Sequence, residues 1–464
     1  ASDDAAGVAM ISRMEAQTRG INQAIRNSMD AQSLIDTSEA AQQEVESVLQ
    51  RMRELSVQAA NDTNTASDRV NLQLEVTQLV AEIDRIATQT TWNGMNVLDG
   101  TFSSKYFQVG SDTNQTVSMG INNIGSSVLG NYQVNSTVQI SDVAAGGILA
   151  DDYTLVGPEG STTITTSAGD SAKEFAADVN ALTSSTGITA TGVTKVKLDN
   201  LSAADTVSLT INGTATSSVA VTSTSDLRGV KDAINAISGT TGVTAELHEG
   251  SNAALQLVDA DGDDISIILV AATNSTEIRA SALDRNGAQA SSTAGTDDLV
   301  VQLVDAGATE AAGDGPKGAA VAFTGQVSLH SYASFNVQVA NDAADYDEAT
   351  AGAIVADGEF FGDGDGAAVS TTNATLASVS TVSVSTRSGA VTALSVIDGA
   401  LDSINNQRAT LGALSNRLDK TVSNLTSIAN NVAASKGRIE DADFAAETTN
   451  LAKTQILQQA STAM

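Results

Sequence analysis

Only two histidines, His248 and His330, could supply general-base or imidazole-metal chemistry in this chain. His248-Glu249 opens the H-E-x-x-H pattern, in which two histidines one helical turn apart hold zinc and the glutamate acts as base. The second histidine position is Asn252, and the context reads as strand and turn, not helix, so the zinc reading fails. His330 lies in a strand-like segment, where a structural histidine is the plainer reading.

Two acidic runs have the residue types of a hard-cation site. Asp259-Ala260-Asp261-Gly262-Asp263-Asp264 starts like a calcium loop, with Asp259, Asp261 and Asp263 at alternate positions. The sixth position is Asp264 in place of glycine, and the twelfth is Val270 in place of glutamate. Asp363 and Asp365, with Asp357 and Glu359 nearby, form the second run. Solvated acidic turns account for both, so no metal and no cofactor is expected. Spacing singles out no Ser-His-Asp set, phosphate loop or glycosidase-like carboxylate pair, and the chain reads as a non-enzyme.

Composition narrows the classes further. The chain carries 55 acidic against 23 basic residues, a formal net charge of −32, which repels nucleic acid and anionic membranes. Cysteine is absent, so disulfides and thiolate chemistry are excluded. No apolar run approaches the length of a bilayer span. At 464 residues the chain has room for about three domains. Aromatics are only 3%, so small side chains must fill the interior, which suits close helix packing and plain β-layers.

The elements that would position any site are long helices at both ends. Ala41, Val45, Val48, Met52, Leu55 and Ala59 form one apolar seam, and Ile11, Met14, Ile21, Ile25 and Met29 continue it upstream. The spacing predicts a helix from about Gly7 to Ala60, broken by Asn61-Asp62-Thr63-Asn64-Thr65, whose side chains favour caps and turns. A second helix, capped by Thr65 or Ser67, carries Leu72, Val76, Leu79, Ile83 and Ile86. The third seam runs through Leu394, Ile397, Leu401, Ile404, Leu411, Leu418, Val422, Leu425 and Ala429, interrupted by Arg408 and Ser415. The first residues are Ala1-Ser2-Asp3-Asp4 and the last is Met464 within a helical pattern, so both ends read as truncated.

Between the helices the character changes. Trp92-Asn93-Gly94 signals a turn, followed by strands near Lys105–Val109 and Thr116–Ile121. From about 131 to 390 Thr, Ser, Val, Gly and Ala dominate with β-type alternation. An internal repeat stands out: Val179-Asn180-Ala181-Leu182 with Thr186-Gly187-Ile188-Thr189-Ala190 recurs as Ile234-Asn235-Ala236-Ile237 with Thr241-Gly242-Val243-Thr244-Ala245. Residues 271 to 325 are weakly patterned, and strands are expected again at 325–330, 335–339 and 378–385. The expected fold is therefore α+β, an elongated multi-domain chain with an antiparallel helical rod built from both ends. Residues 1–130 and 391–464 form the rod, and 131–390 is a β-rich insertion. The insertion holds modules near 151–198 and 205–270 and an outer part near 271–390.

Ser2-Asp3-Asp4-Ala5-Ala6-Gly7, then LQRMRELSVQAAN, then Gln89-Thr90-Thr91-Trp92-Asn93-Gly94 resemble the N-terminal region of bacterial flagellins in order and spacing. Leu411-Gly412-Ala413, Asn416-Arg417, the stretch SKGRIEDAD at 435–443 and Gln455-Ile456-Leu457-Gln458-Gln459-Ala460 are similar to the family's C-terminal region. Trp92 and Phe444 replace tyrosine or phenylalanine of the family, and the family's outermost terminal helices are missing. The middle modules resemble an insertion found in some flagellins. The resemblance implies an extracellular filament subunit that self-assembles for swimming, with the flagellar cap and hook-associated proteins as partners. It also implies that Arg51, Glu54, Leu55 and Glu75 form a surface for neighbouring subunits or for an animal Toll-like receptor. A surface adhesin or glycan-binding homologue is the alternative.

Overall fold

The computed structural model describes residues 5–61, 63–137, 139–141, 147–148, 150–272, 276–290, 300–304, 317–318, 320–339, 360–361, 370–440 and 444–463. Among them are eight α-helices: α1 (Ala5–Ala60), α2 (Ala66–Gln89), α3 (Ala172–Ala181), α4 (Thr183–Thr186), α5 (Arg228–Asn235), α6 (Ser238–Thr241), α7 (Arg387–Glu440) and α8 (Phe444–Ala463). The fold is α+β, with long helices toward both chain ends and a strand-rich middle. None of the described helices is long and apolar enough to cross a membrane. The chain divides into two compact units, one comprising Ala1–Leu49, Leu79–Gly125 and Ile404–Met464, the other Gln50–Gln78 and Ser126–Ser403.

Burial along α1 follows a heptad more regular than its apolar residues suggest. Ala24, Ser28, Ala31, Ile35, Ser38, Gln42, Val45, Leu49, Met52, Ser56 and Ala59 are buried, in alternating steps of four and three. Leu49 occupies the seam that Val48 was expected to hold, and Met29 is exposed. The difference arises because serine and glutamine take core positions. Ser28, Ser38 and Ser56 donate their hydroxyls to the carbonyls of Ala24, Leu34 and Met52 at 2.8–2.9 Å, which satisfies the polar atom inside the helix itself.

Gln42 has no such arrangement. It is fully buried, and neither polar atom of its amide has a hydrogen-bond partner. An unsatisfied buried amide costs about 1–3 kcal/mol. Gln42→Leu, nearly the same volume, is therefore expected to raise the midpoint of chemical denaturation. A lowered midpoint would show that the amide is hydrogen-bonded in solution.

In the first unit the strict seam of α7 falls at Ile404, Leu411, Leu418 and Leu425, each buried. Arg408 interrupts it for an electrostatic reason: its guanidinium pairs with Glu46 and lies 3.6 Å from Glu39, both on α1. Thr65 begins α2 as its cap, accepting from the Asp68 N–H at 3.2 Å while its own N–H donates to the Asp68 carboxylate at 3.0 Å. After α2, Thr91–Trp92 pairs with Met95–Asn96 around Asn93 and Gly94, both at positive φ. A second hairpin joins Lys105–Gln108 to Thr116–Met119.

In the second unit the long strand Thr189–Asp199 is central. Leu255–Asp259 and Glu277–Leu283 pair with it antiparallel along one half, and Gln326–Ser331 along the other. A further sheet is built on Thr206–Ile211, Ile265–Ala271 and Ala320–Thr324. The strand Glu277–Leu283 lies within the weakly patterned stretch because Ala280 and Ala282 face the core and muffle its alternation. The strand expected at 378–385 is corrected: Thr375–Ser378 is the strand, and Val379–Thr381 turns into a short 3-10 helix.

The two repeat copies share their atomic devices. The Asn180 side-chain amide accepts the Ala190 N–H at 2.8 Å and donates to the Ala190 carbonyl at 2.9 Å. Asn235 holds Ala245 with the same two distances. Thr186 and Thr241 bridge Leu182 and Ile237 to Ile188 and Val243, and Gly187 and Gly242 turn the chain at φ +70 and +75. Tyr153, Phe175, Phe360 and Phe361 gather in one core as mainly edge-to-face rings with centroids 5.1–6.0 Å apart.

Candidate subunit and receptor interface

The C-terminal turns of α1 and the first half of α2 place three of the four expected interface residues together. Arg51 Nε and a terminal guanidinium nitrogen donate to the Glu75 carboxylate at 2.9 and 2.7 Å. The other terminal nitrogen donates to Glu54 at 3.0 Å. The hydrogen bonds that Arg51 donates to Glu75, then the one it donates to Glu54, push its pKa further up. The Arg51 side chain is 49% exposed, so the pairing orients the guanidinium while contributing little to stability.

Leu55 is corrected. It is 1% exposed and sits with Met52 and Ala59 on the buried side of α1, because a leucine three residues after a seam residue falls on the same helical stripe. The exposed apolar residues of this region are instead Val57, Val70 and Leu74, at 52%, 52% and 62%. Val70 and Leu74 are one turn apart on α2 and lie off its seam, a signal the sequence holds. Arg53 pairs with Asp398 of α7 at 2.7 Å.

The acidic run at 259–263 is organised as a turn. Asp259 Oδ1 accepts from the N–H groups of Asp261, Gly262 and Asp263 at 3.0–3.4 Å, and burial raises the Asp259 pKa. Lys173 lies 2.8 Å from Asp263 and 3.6 Å from Asp261. Among the described residues no three His, Cys, Asp or Glu side chains are placed to share a metal ion. Asp363 and Asp365 lie outside the described residues. His248 sits in a 3-10 turn with Nδ1 3.2 Å from Gln256 Oε1, and His330 is pressed down to about 4, chiefly by burial.

Long heptad helices at both ends, a strand-rich middle and a charged surface triad define a structural assembly protein. The family model of the bacterial flagellin N-terminal helical region matches residues 1–103, and that of the C-terminal helical region matches residues 394–464. The B-type flagellin of Pseudomonas aeruginosa is 34% identical over 476 residues, covering all of this chain and 88% of that one. A flagellin of Salmonella rubislaw is 30% identical, covering all of this chain and 89% of that one. The chain belongs to the flagellin family. It is a structural subunit of the extracellular bacterial flagellar filament, not an enzyme.

Proposed function

We propose that residues 1–130 and 391–464 form the part of the subunit that packs between copies in the filament, while 131–390 faces solvent. The carrying observation is on α8. Leu451, Ile456 and Leu457 are 58%, 65% and 59% exposed, and at about 100° per residue they point to three sides of the helix. Every described α8 side chain is exposed, so these three large apolar residues lack an interior in the isolated chain. Here neighbouring subunits supply it. The cap and hook-associated proteins are the assembly partners of the same helices. Electron microscopy of cells whose subunit carries charges along α8 tests the reading.

The Arg51–Glu54–Glu75 triad is a second contact surface, used by neighbouring subunits and by an animal Toll-like receptor. Its support is the guanidinium pre-oriented by Glu75, the residue that follows the exposed Leu74 on α2, since arginine is enriched among interface hot spots. Arg51→Ala is expected to weaken receptor binding at least tenfold, about 1.4 kcal/mol, with the melting temperature nearly unchanged. Equal affinity of the two proteins would remove the receptor assignment.

A further inference from the structure

In the first unit α1, α7 and the loop of the Lys105–Met119 hairpin enclose a groove of about 550 Å³. Its walls are tied together. Asn27 Nδ2 on α1 donates to the Gln108 carbonyl at 3.0 Å, and Gly20 approaches the loop so closely that a Cβ there would lie 3.2 Å from that of Ser111. Ile21, Val109, Leu425 and Ile428 give the groove an apolar lining. Arg417 and Lys420 of α7 also line it, against one carboxylate, Asp112, which Gln115 approaches at 3.4 Å. Both cations are exposed, and among the described residues neither side chain makes an ion pair or a hydrogen bond. That sets them apart from Arg51, Arg53, Arg85 and Arg408, each of which holds a carboxylate.

The complement stands on α1. Met29 is 52% exposed, and Asp36 and Ala40, seven and eleven residues on, fall within about 20° of it round the helix. Asp30 and Glu44 flank this stripe. All three carboxylates are exposed, and among the described residues none of them has a partner. Arg26, one turn before Asp30, is drawn to Gln23 at 2.6 Å and leaves the stripe acidic on balance. Met29 and Ile21 are eight residues apart, about 80° round α1, so stripe and groove face different ways.

We propose that the acidic stripe of α1 in one copy seats in the Arg417–Lys420 groove of the next copy, with Met29 against the apolar lining and Asp30 and Asp36 meeting the two cations. This rests on the reading that residues 1–130 and 391–464 pack between copies, and it names the surfaces that meet. Opposite charges on the two surfaces select the partner and the register. Because they lie on different faces, the contact is head-to-tail: each added copy leaves one groove and one stripe open, which is how an open polymer grows.

The test is a reciprocal charge swap in bacteria whose only flagellin is the full-length protein. All four positions are exposed, so the subunits still fold, as circular dichroism of the secreted protein would show. Arg417→Glu with Lys420→Glu is expected to abolish filaments, and so is Asp30→Lys with Asp36→Lys. The fourfold variant, with the charges exchanged, is expected to regain them. Normal filaments in either double variant, or none in the fourfold variant, overturn the proposal. A cross-link reads the contact without relying on charge, since the chain has no cysteine of its own. Ala40→Cys with Asn424→Cys leaves both charged surfaces intact. Leu425, next to Asn424, packs with Ile21 and Ala24, so within one subunit Asn424 lies about 24 Å along α1 from Ala40. A short bismaleimide then joins the two thiols only between copies. A ladder of linked subunits from assembled filaments is expected, and monomer alone overturns the proposal. Filaments that are lost when α8 is charged but survive every swap would keep the reading of the chain ends and remove this contact.

Discussion

Leu55→Asp should unfold the second unit at a temperature roughly 10 °C below the wild type. Leu55 is 1% exposed, so the substitution removes about 2–3 kcal/mol of apolar burial and leaves a carboxylate with no cation to meet it inside. Either the acid is protonated on folding or the helix shifts to bring it to water, and both cost stability. The total is on the order of 4 kcal/mol or more, enough to displace the transition by that amount. Leu74→Asp is the matched control, because Leu74 is 62% exposed and should move the melt by no more than about 0.5 kcal/mol in either direction. A Leu55→Asp melt that overlays the wild type would mean that Leu55 faces water. The proposed receptor surface would then regain an apolar member.

The control also shows how far the apolar pattern could be read. Residues such as Ile397, Ile404, Leu411, Leu418 and Leu425 recur every seventh position, and that spacing alone locates the buried face of α7. Along α1 the same period is present but written partly in serine and glutamine, which a reading by hydrophobicity passes over. The serines are admissible because each hydroxyl finds a carbonyl one turn back. Leu55 stood both in the seam that the spacing gives and in the surface that the resemblance implies, and its burial decides for the seam.

In the middle of the chain the repeat was visible because its turn chemistry is local. Asn180 and Asn235 each clamp a strand ten residues on, and the Thr-Gly pairs end their helices in the same way. Pairing between distant strands was not visible. Glu277–Leu283 joins Thr189–Asp199 across some eighty residues, and nothing in either segment names the other. The surface triad was half legible. Arg51 and Glu54 are three apart on one helix, but Glu75 meets Arg51 only because α1 and α2 fold back on each other.

The helices at the chain ends carry the central claim, and α8 offers the most direct trial. Leu451, Ile456 and Leu457 are exposed, so aspartate at all three leaves the fold of the isolated subunit as it is. In a polymer that encloses α8, the same change buries three unpaired carboxylates in every subunit, a cost no neighbouring contact offsets. The measurement is electron microscopy of bacteria in which the full-length Leu451→Asp, Ile456→Asp, Leu457→Asp protein is the only flagellin. The account predicts secreted, folded subunit in the medium and no filaments on the cells. Filaments of normal length and number would contradict it, and would place the contacts that hold the polymer together outside α8.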